Sequence, residues 1–438
     1  MKSYQYLLVF LLFISCTNES SNQEQTAITN PGSGNMIREI NHKELPIGAK
    51  TIAIVGATLI DGTGKPPLYN ATVVIKGNSI LEVGPSGSLS IPKEAEIVDG
   101  KGLTLLPGLI DAHFHLNNNE LPNLVLQRGI TSVRDPGAWI ESYSAVRDSD
   151  ITPPRLFLTG PHLDMPPPAY PKNSYLIRDP IEARYAVNKF ADQGASAIKI
   201  YIRLPVAIIK EVCATAHQRG IPVTAHLEIT SAMEAIAAGV DGIEHVTSFG
   251  TDLLPTFEAQ QYEQSVLEDN SARREGRYQV WNAIDIEGDK VDSLLLFLKQ
   301  HKTVVSPTLG AFEYRFGEDK TDSIKVRAFE NMMIFIGKAH KAGIPTVVGS
   351  HSSVPYAERG WAYQREMELL SESGLTNMEI IVAATMENAR FFKVEDRLGS
   401  VEEGKQADLL LLEGDPIKKL DAFYSISRVM LNGVWVSN

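Results

Sequence analysis

The stretch AHQRGIPVTAH at residues 216–226 returns as AHKAGIPTVVGSH at residues 339–351. Each copy runs from a helix end through a glycine stop and Ile-Pro into a short apolar strand that closes on a histidine. Working outward from this pair, the middle of the chain alternates apolar strands with helical stretches, the pattern of a parallel sheet or barrel. Strand ends are expected near His115, Asp135, His162, Tyr201, His226, His245, Leu309 and His351, eight in all. Eight βα units on this scale predict an α/β fold, a (β/α)8 TIM barrel over residues 108–395, with its chemistry where the strands end. Residues 250–300 are charged and helical in pattern, and elaborate the connection after the sixth strand.

Both ends of the chain read differently. TIAIVGATLI, ATVVIKGNSILEVG and AEIVDGKGLTLLPG near the start, and ADLLLLEGD and SRVMLNGVWVS near the end, are short strand-like runs separated by turn signals. Asn432-Gly433 predicts a tight hairpin.

Composition narrows the function. The 438 residues carry 41 Lys plus Arg against 53 Asp plus Glu, a net charge of −12, which disfavours nucleic acid as a partner. Only Cys16 and Cys213 are present, so no disulfide framework is available; Cys213 is expected as a small core residue. Lys2 precedes an apolar run from Tyr6 to Ile14, short for a membrane span but suited to a secretory signal. The run ends in Ser15-Cys16 and resembles a bacterial lipobox, which implies a signal peptide over 1–16 and a lipid anchor on Cys16. A tether over 17–48 and a place in the bacterial cell envelope follow from that resemblance.

The ten histidines separate by position. His217 and His340 fall in last helical turns, His42 in the tether and His301 at a polar helix end; none of these four is expected to do chemistry. His162, in a Pro-rich loop, is left undecided. His113 and His115 are two apart on a strand and face the same way, and His226 and His245 end two further strands. Four imidazoles at strand ends suit zinc or a similar first-row metal. Lys199, among isoleucines in a strand buried on both faces, needs a partner or a changed charge state.

The landmarks LLPGLIDAHFHL, RGITSVRDPG, ASAIKIY, VTAHLE, AAGVDGIEH and VVSPTL resemble the amidohydrolase superfamily, imidazolonepropionase-like and Xaa-Pro dipeptidase-like members in particular. So does the run GLTNMEIIVAATMENARFF…RLGSVEEGKQADLLLLEGDP, and the likeness covers about residues 50–438. It implies a small β-sandwich built from 49–107 and 396–438 beside the barrel. It implies two divalent ions, zinc in the first instance: one on His113 and His115, the other on His226 and His245, with an N-carboxylated Lys199 bridging both. It also implies hydrolysis of an amide bond, peptide-like or cyclic, in a small-molecule substrate by a metal-activated water.

One position departs from the family's pattern. Where members carry Gly-Thr-Asp after the eighth strand, this chain has Gly349-Ser350-His351. His351 then stands as a general base, as a further metal ligand, or as the mark of an envelope protein that binds without turnover. Lactone or ester hydrolysis uses the same machinery and stays open, as does a homo-oligomer. Tyr201 and Arg203, just past Lys199, are the substrate-contact candidates, with Glu313, Tyr314 and Arg315 after the seventh strand.

Overall fold

The computed structural model describes residue 1 and residues 37–116, 121–317 and 323–436. The signal segment, Cys16 and the tether up to residue 36 lie outside the described residues. Among those described, no helix is long and apolar enough to cross a membrane.

Strands from both chain ends join one eight-stranded sheet. Leu103–Pro107 is its seam, lying parallel to Thr51–Leu59 and antiparallel to Leu409–Glu413, with Leu106 opposite Leu410. Asn432 and Gly433, both at positive φ (53° and 77°), turn Ile426–Leu431 into Val434–Trp435 as the Asn-Gly pair predicts. The unbroken Leu409–Leu412 run needs two apolar environments, because successive side chains point to opposite faces. Leu410 and Leu412 pack into the main core, while Leu409 and Leu411 join a separate cluster with Ile54, Val73 and Ile75.

Parallel strands make up the body. Leu109–Asp111, Ile130–Asp135 and Arg155–Leu158 form one sheet. His162–Asp164, Ile198–Ile200, Val223–Ala225, Gly242–Glu244 and Val304–Ser306 form the other, with Ser174–Leu176 at its edge. Backbone hydrogen bonds run on across both gaps: Ser196 N–H to Leu158 O at 2.8 Å, Val347 N–H to Val305 O at 2.9 Å, and Ala112 N–H to Val348 O at 3.0 Å. Two expected strands differ in detail. The third breaks at Gly160, whose φ of 76° ends Arg155–Leu158 before His162 resumes. The eighth is a single bridge, Thr346 to Val305, because Pro345 offers no N–H for a longer ladder.

Helices sit between the strands with legible ends. Asp179 accepts N–H bonds from Ile181 and Glu182 at 2.8 Å each, and Pro180 opens Pro180–Asp192. The segment after the sixth strand is helical as expected: Thr256–Glu268, Arg273–Ala283 and Asp289–His301.

The expected tether stops earlier than residue 48. Ile37, Glu39, Asn41 and Leu45 are buried on the body, because this stretch carries apolar and pairable side chains that the preceding polar run lacks. Asn41 Nδ2–H donates to Pro154 O, and Leu156 N–H donates to Asn41 Oδ1, each at 2.9 Å. Buried Arg155 binds Glu39 and, through Nε, Asp408 Oδ2 at 2.6 Å; Arg397 reaches Glu39 Oε2 at 2.8 Å. Burial pushes the Glu39 carboxyl up, but Arg155 and Arg397 outweigh it and hold the group below its ordinary value. Glu39→Gln is therefore expected to destabilise the protein by about 3 kcal/mol at neutral pH. A depressed folded-state pKa gives stability that is complete above the unfolded value of about 4.3 and is lost as pH falls through the folded one. Urea unfolding should show wild type and variant converging only in acid.

Candidate metal centre

The strand ends open onto one cavity of about 700 Å³ lined by His113, His115, Lys199, His226, His245 and His351. All six residues expected to carry chemistry are thus brought together. His113, Lys199, His226 and His245 are buried, while His115 and His351 are half-buried. His113 Nε2 lies 3.0 Å from His115 Nε2, and the His226 and His245 ring centres are 4.3 Å apart. His351 stacks on His113 at 5.3 Å and meets His115 edge-on at 4.8 Å.

Backbone irregularity does the aiming. Alternation along Gly242–Glu244 would send Glu244 and His245 to opposite faces, but His245 takes a φ of 67° and both reach the cavity side. His351 and Ser352, at φ of 59° and 66°, turn the chain back over the first strand. That loop is pinned from below by Asp111. Its Oδ1 accepts from Ser350 N–H at 2.9 Å and His113 N–H at 3.0 Å, and its Oδ2 accepts from Ser350 Oγ–H at 2.5 Å. A Cβ on Gly349 would stand 2.8 Å from the His113 Cβ, so only glycine lets this loop approach the first ligand strand.

Three of the imidazoles have an orienting neighbour. Burial pushes the Glu228 carboxyl up, but His226 and Arg277 outweigh it; the carboxylate so held accepts from His226 Nε2–H at 3.2 Å, which leaves Nδ1 as the lone pair. His226 Nδ1 is buried with no hydrogen-bond partner. His245 Nδ1 is hydrogen-bonded to Thr308 Oγ1 at 2.7 Å, which leaves Nε2. Asp135 accepts from Leu116 N–H and Gly137 N–H at 3.0 Å and stands 3.6 Å from His115 Nδ1.

Glu244 is the member that sequence reasoning missed. It is fully buried, ion-paired with Lys199, and 2.7 Å from His113 Nδ1, out of line for a ring N–H bond. The available signal was the one used for Lys199: an ionisable residue inside a strand buried on both faces. Burial pushes Glu244 up, but Lys199 and His113 outweigh it and hold the carboxyl well below its ordinary value. Burial lowers Lys199 despite that partner. It also drives His113 and His226 down to about 4, and His245 well below its ordinary value.

The donor set fits a divalent cation. Rings held neutral are in the ligating form. Two ring nitrogens facing at 3.0 Å, the partnerless His226 Nδ1 and the partnerless Glu244 Oε1 are lone pairs that a cation would satisfy. Two groups have ligand atoms within 4.8 Å of one another: His113, His115 and His351, and His113, Glu244 and His245. They share His113, so the grouping differs from the strict pairing of histidines that the family resemblance implies.

The remaining candidates divide. Tyr201 lines the cavity, its ring 4.8 Å from His226 and stacked at 4.3 Å on His162, which the sequence left undecided. Arg203 does not line it. Its guanidinium is held by Asn270 Oδ1 at 2.7 Å and Val266 O at 2.8 Å, fixing the segment after the sixth strand, which corrects the expectation of substrate contact. Tyr314 lines the cavity, whereas Glu313 is paired with Arg365 and Arg315. His217, His340, His42 and His301 bond Asp241, Glu379, Glu39 O and Phe297 O, away from the cavity. Cys213 is a buried thiol, pushed up to about 12 by burial.

Comparison with known proteins agrees with this arrangement. Among solved structures the chain is similar to a putative prolidase from Bifidobacterium longum, at 26% identity and a TM-score of 0.69, covering 89% of this chain and 95% of that one. It is similar to ochratoxinase of Aspergillus niger, 23% identical over 444 residues, 86% of this chain and 84% of that protein. An uncharacterised protein of Mycobacterium tuberculosis is 28% identical over 188 residues, 35% of this chain, and the chain spans 50% of that relative's length. The model of the Amidohydrolase family matches residues 104–436, from the seam strand of the terminal sheet through every histidine of the cavity. The chain belongs to the amidohydrolase family.

Proposed function

We propose that the protein is a metal-dependent hydrolase that cleaves an amide bond, peptide-like or cyclic, in a small molecule. The observation that carries this reading is the convergence of five histidines on one cavity beside the buried Lys199–Glu244 pair, with His113, His226 and His245 held neutral by burial. His113 Nε2, His115 Nε2, His226 Nδ1 and His245 Nε2 would hold two divalent ions, zinc in the first instance, with an N-carboxylated Lys199 between them. Bound there, the ions supply Lewis acidity to a carbonyl and a more acidic water. Glu228, Thr308 and Asp135 keep the ligand rings aimed. A ring nitrogen of His351, neutral because burial and the neighbouring His115 and His113 rings disfavour imidazolium, takes up the proton that the usual aspartate would accept. We further infer that the parallel strands close into a (β/α)8 ring and the terminal sheet folds over as a sandwich; the three hydrogen bonds across the gaps and the second apolar cluster support this.

Zinc-edge anomalous diffraction and metal analysis on protein grown with bicarbonate test the reading. Two ions per chain, extra density on Lys199, and turnover in a dipeptide, hydantoin and lactone screen are expected. His351→Asp separates the roles of this side chain. Activity lowered by about tenfold or more makes histidine the working base. Activity appearing from nothing makes the natural protein a binder and sinks the proposal.

Residues 6–16 support a lipid anchor on Cys16 and a place in the cell envelope. Cys16→Ser is expected to move the protein from the membrane to the soluble fraction of a bacterial host; a wild-type protein already found soluble would overturn this.

A further inference from the structure

Glu366, on helix Ala362–Glu372, is a buried acid with no part in the proposed hydrolysis. It is 0% exposed and faces no cation among the described residues. Arg365 beside it is engaged by Glu313, Glu368 and Glu372, at 2.8, 2.7 and 2.9 Å. Burial, reinforced by Asp111 and Glu313, pushes the Glu366 carboxyl up to about 8 against the pull of its hydrogen bonds. An acid in so unfavourable a place is explained by what it holds.

What it holds is the turn after the seventh strand. Glu366 Oε1 accepts from Leu309 N–H and Oε2 from Gly310 N–H, each at 2.8 Å. A carboxylate offers two equivalent oxygens to two successive N–H groups, where an amide has only one. The residue just before them is Thr308, fully buried at φ 48° and ψ 47°. A left-handed backbone is strained for a β-branched side chain and persists only where the surroundings over-determine it. Here the clamp closes from both sides. Glu366 fixes the two residues that follow, and Val246 N–H, donating to Pro307 O at 3.0 Å, fixes the one that precedes. Held so, Thr308 Oγ1 lies 2.7 Å from His245 Nδ1. The same turn carries Phe312, whose ring meets His245 edge-on at 5.8 Å.

The structure assigns Glu366 as a positioning residue for the metal centre. Through the Leu309 and Gly310 N–H groups it locks Thr308 left-handed, and Thr308 in turn aims the His245 ring so that Nε2 is the nitrogen left for a cation. This rests on the metal-dependent reading, and the measurements keep the two apart.

Zinc affinity of the full chain, by equilibrium dialysis against a competing chelator, should be compared for wild type, Glu366→Gln, Thr308→Val and the double variant. Urea unfolding of each is measured alongside. Glutamine keeps one of the two acceptors, and valine keeps the shape of threonine without its hydroxyl. Each single change is expected to weaken zinc binding by about 10- to 100-fold, the scale of losing an outer-shell partner. The double variant should be weaker than Thr308→Val by no more than about threefold, since both changes act on one hydroxyl. Glu366→Asp, a carboxylate set back by one methylene, is read in the same way if the glutamine variant does not fold. A merely structural glutamate gives a lower unfolding midpoint with zinc affinity unchanged, and that result overturns the assignment. So do losses that multiply in the double variant, or a zinc affinity unmoved by Thr308→Val. Zinc binding in the expected pattern without hydrolysis of any substrate retains the assignment and sinks the hydrolase reading. Turnover in a Glu366→Gln variant that holds zinc as tightly as wild type does the reverse. A wild type that binds no zinc sinks both.

Discussion

His226→Asn is expected to drop zinc content from two ions per chain to one or fewer and to lower kcat/KM by about a thousandfold, roughly 4 kcal/mol of transition-state stabilisation. The reason is the allocation of the two ring nitrogens. Nε2–H is committed to Glu228, and Nδ1 is the buried lone pair with no protein partner. Asparagine is smaller, loses the Nε2–H that Glu228 holds, and offers at that point only an amide group, a much weaker ligand than an imidazole nitrogen. Stability should change little, since Glu228 keeps Tyr262 and the nearby Arg277. Glu228→Gln is the graded companion. It leaves every ligand in place but loosens the ring, and a loss of about 10- to 100-fold in zinc affinity is expected. Metal analysis after equilibrium dialysis reads both. Unchanged zinc in His226→Asn would remove this histidine from the centre.

Glu244→Gln should be the most destabilising single change in the cavity when measured without metal or bicarbonate. Lys199 and Glu244 are 1% and 0% exposed and compensate each other. Neutralising one leaves the other as a lone buried charge, for which a loss of about 3–5 kcal/mol is expected. That is a large share of the total stability of a folded domain, about 5–15 kcal/mol. Removing both, as Lys199→Met with Glu244→Gln, should recover much of the loss, so the pair is strongly non-additive. Urea unfolding of the two single variants and the double variant checks this. Additive losses would mean that the two groups do not compensate each other.

The parallel strands and the histidine cluster were legible in the sequence because each of these residues sits where a simple pattern ends. His113 and His115 share a strand face, His226 ends a repeated βα unit, and Lys199 stands out against isoleucines. Glu244 was harder. Period-two alternation places it opposite His245, and only a left-handed backbone at His245 brings both to one side, a conformation that the Glu-His pair does not announce. Arg203 failed for the opposite reason. Its position just past Lys199 is right for the cavity, but a sequence cannot show that Asn270 and the carbonyl of Val266 lie closer at hand. Arg273 was passed over inside a run that reads as a solvated helix; its burial follows from how that helix folds back over the strand ends. The pairing of Glu244 with Lys199 and the burial of Arg273 were both set by tertiary geometry rather than by local pattern.

The seam strand at Leu103–Pro107 has a consequence for biogenesis. Thr104 Oγ–H donates to Gly414 O across 310 positions of chain, and Leu106 lies opposite Leu410. During synthesis this early strand therefore emerges long before its partner, and the closing contacts of the molecule wait for the last stretch of polypeptide. Loss of the last thirty residues or so should therefore leave one edge of Leu103–Pro107 exposed, however well the rest of the chain folds.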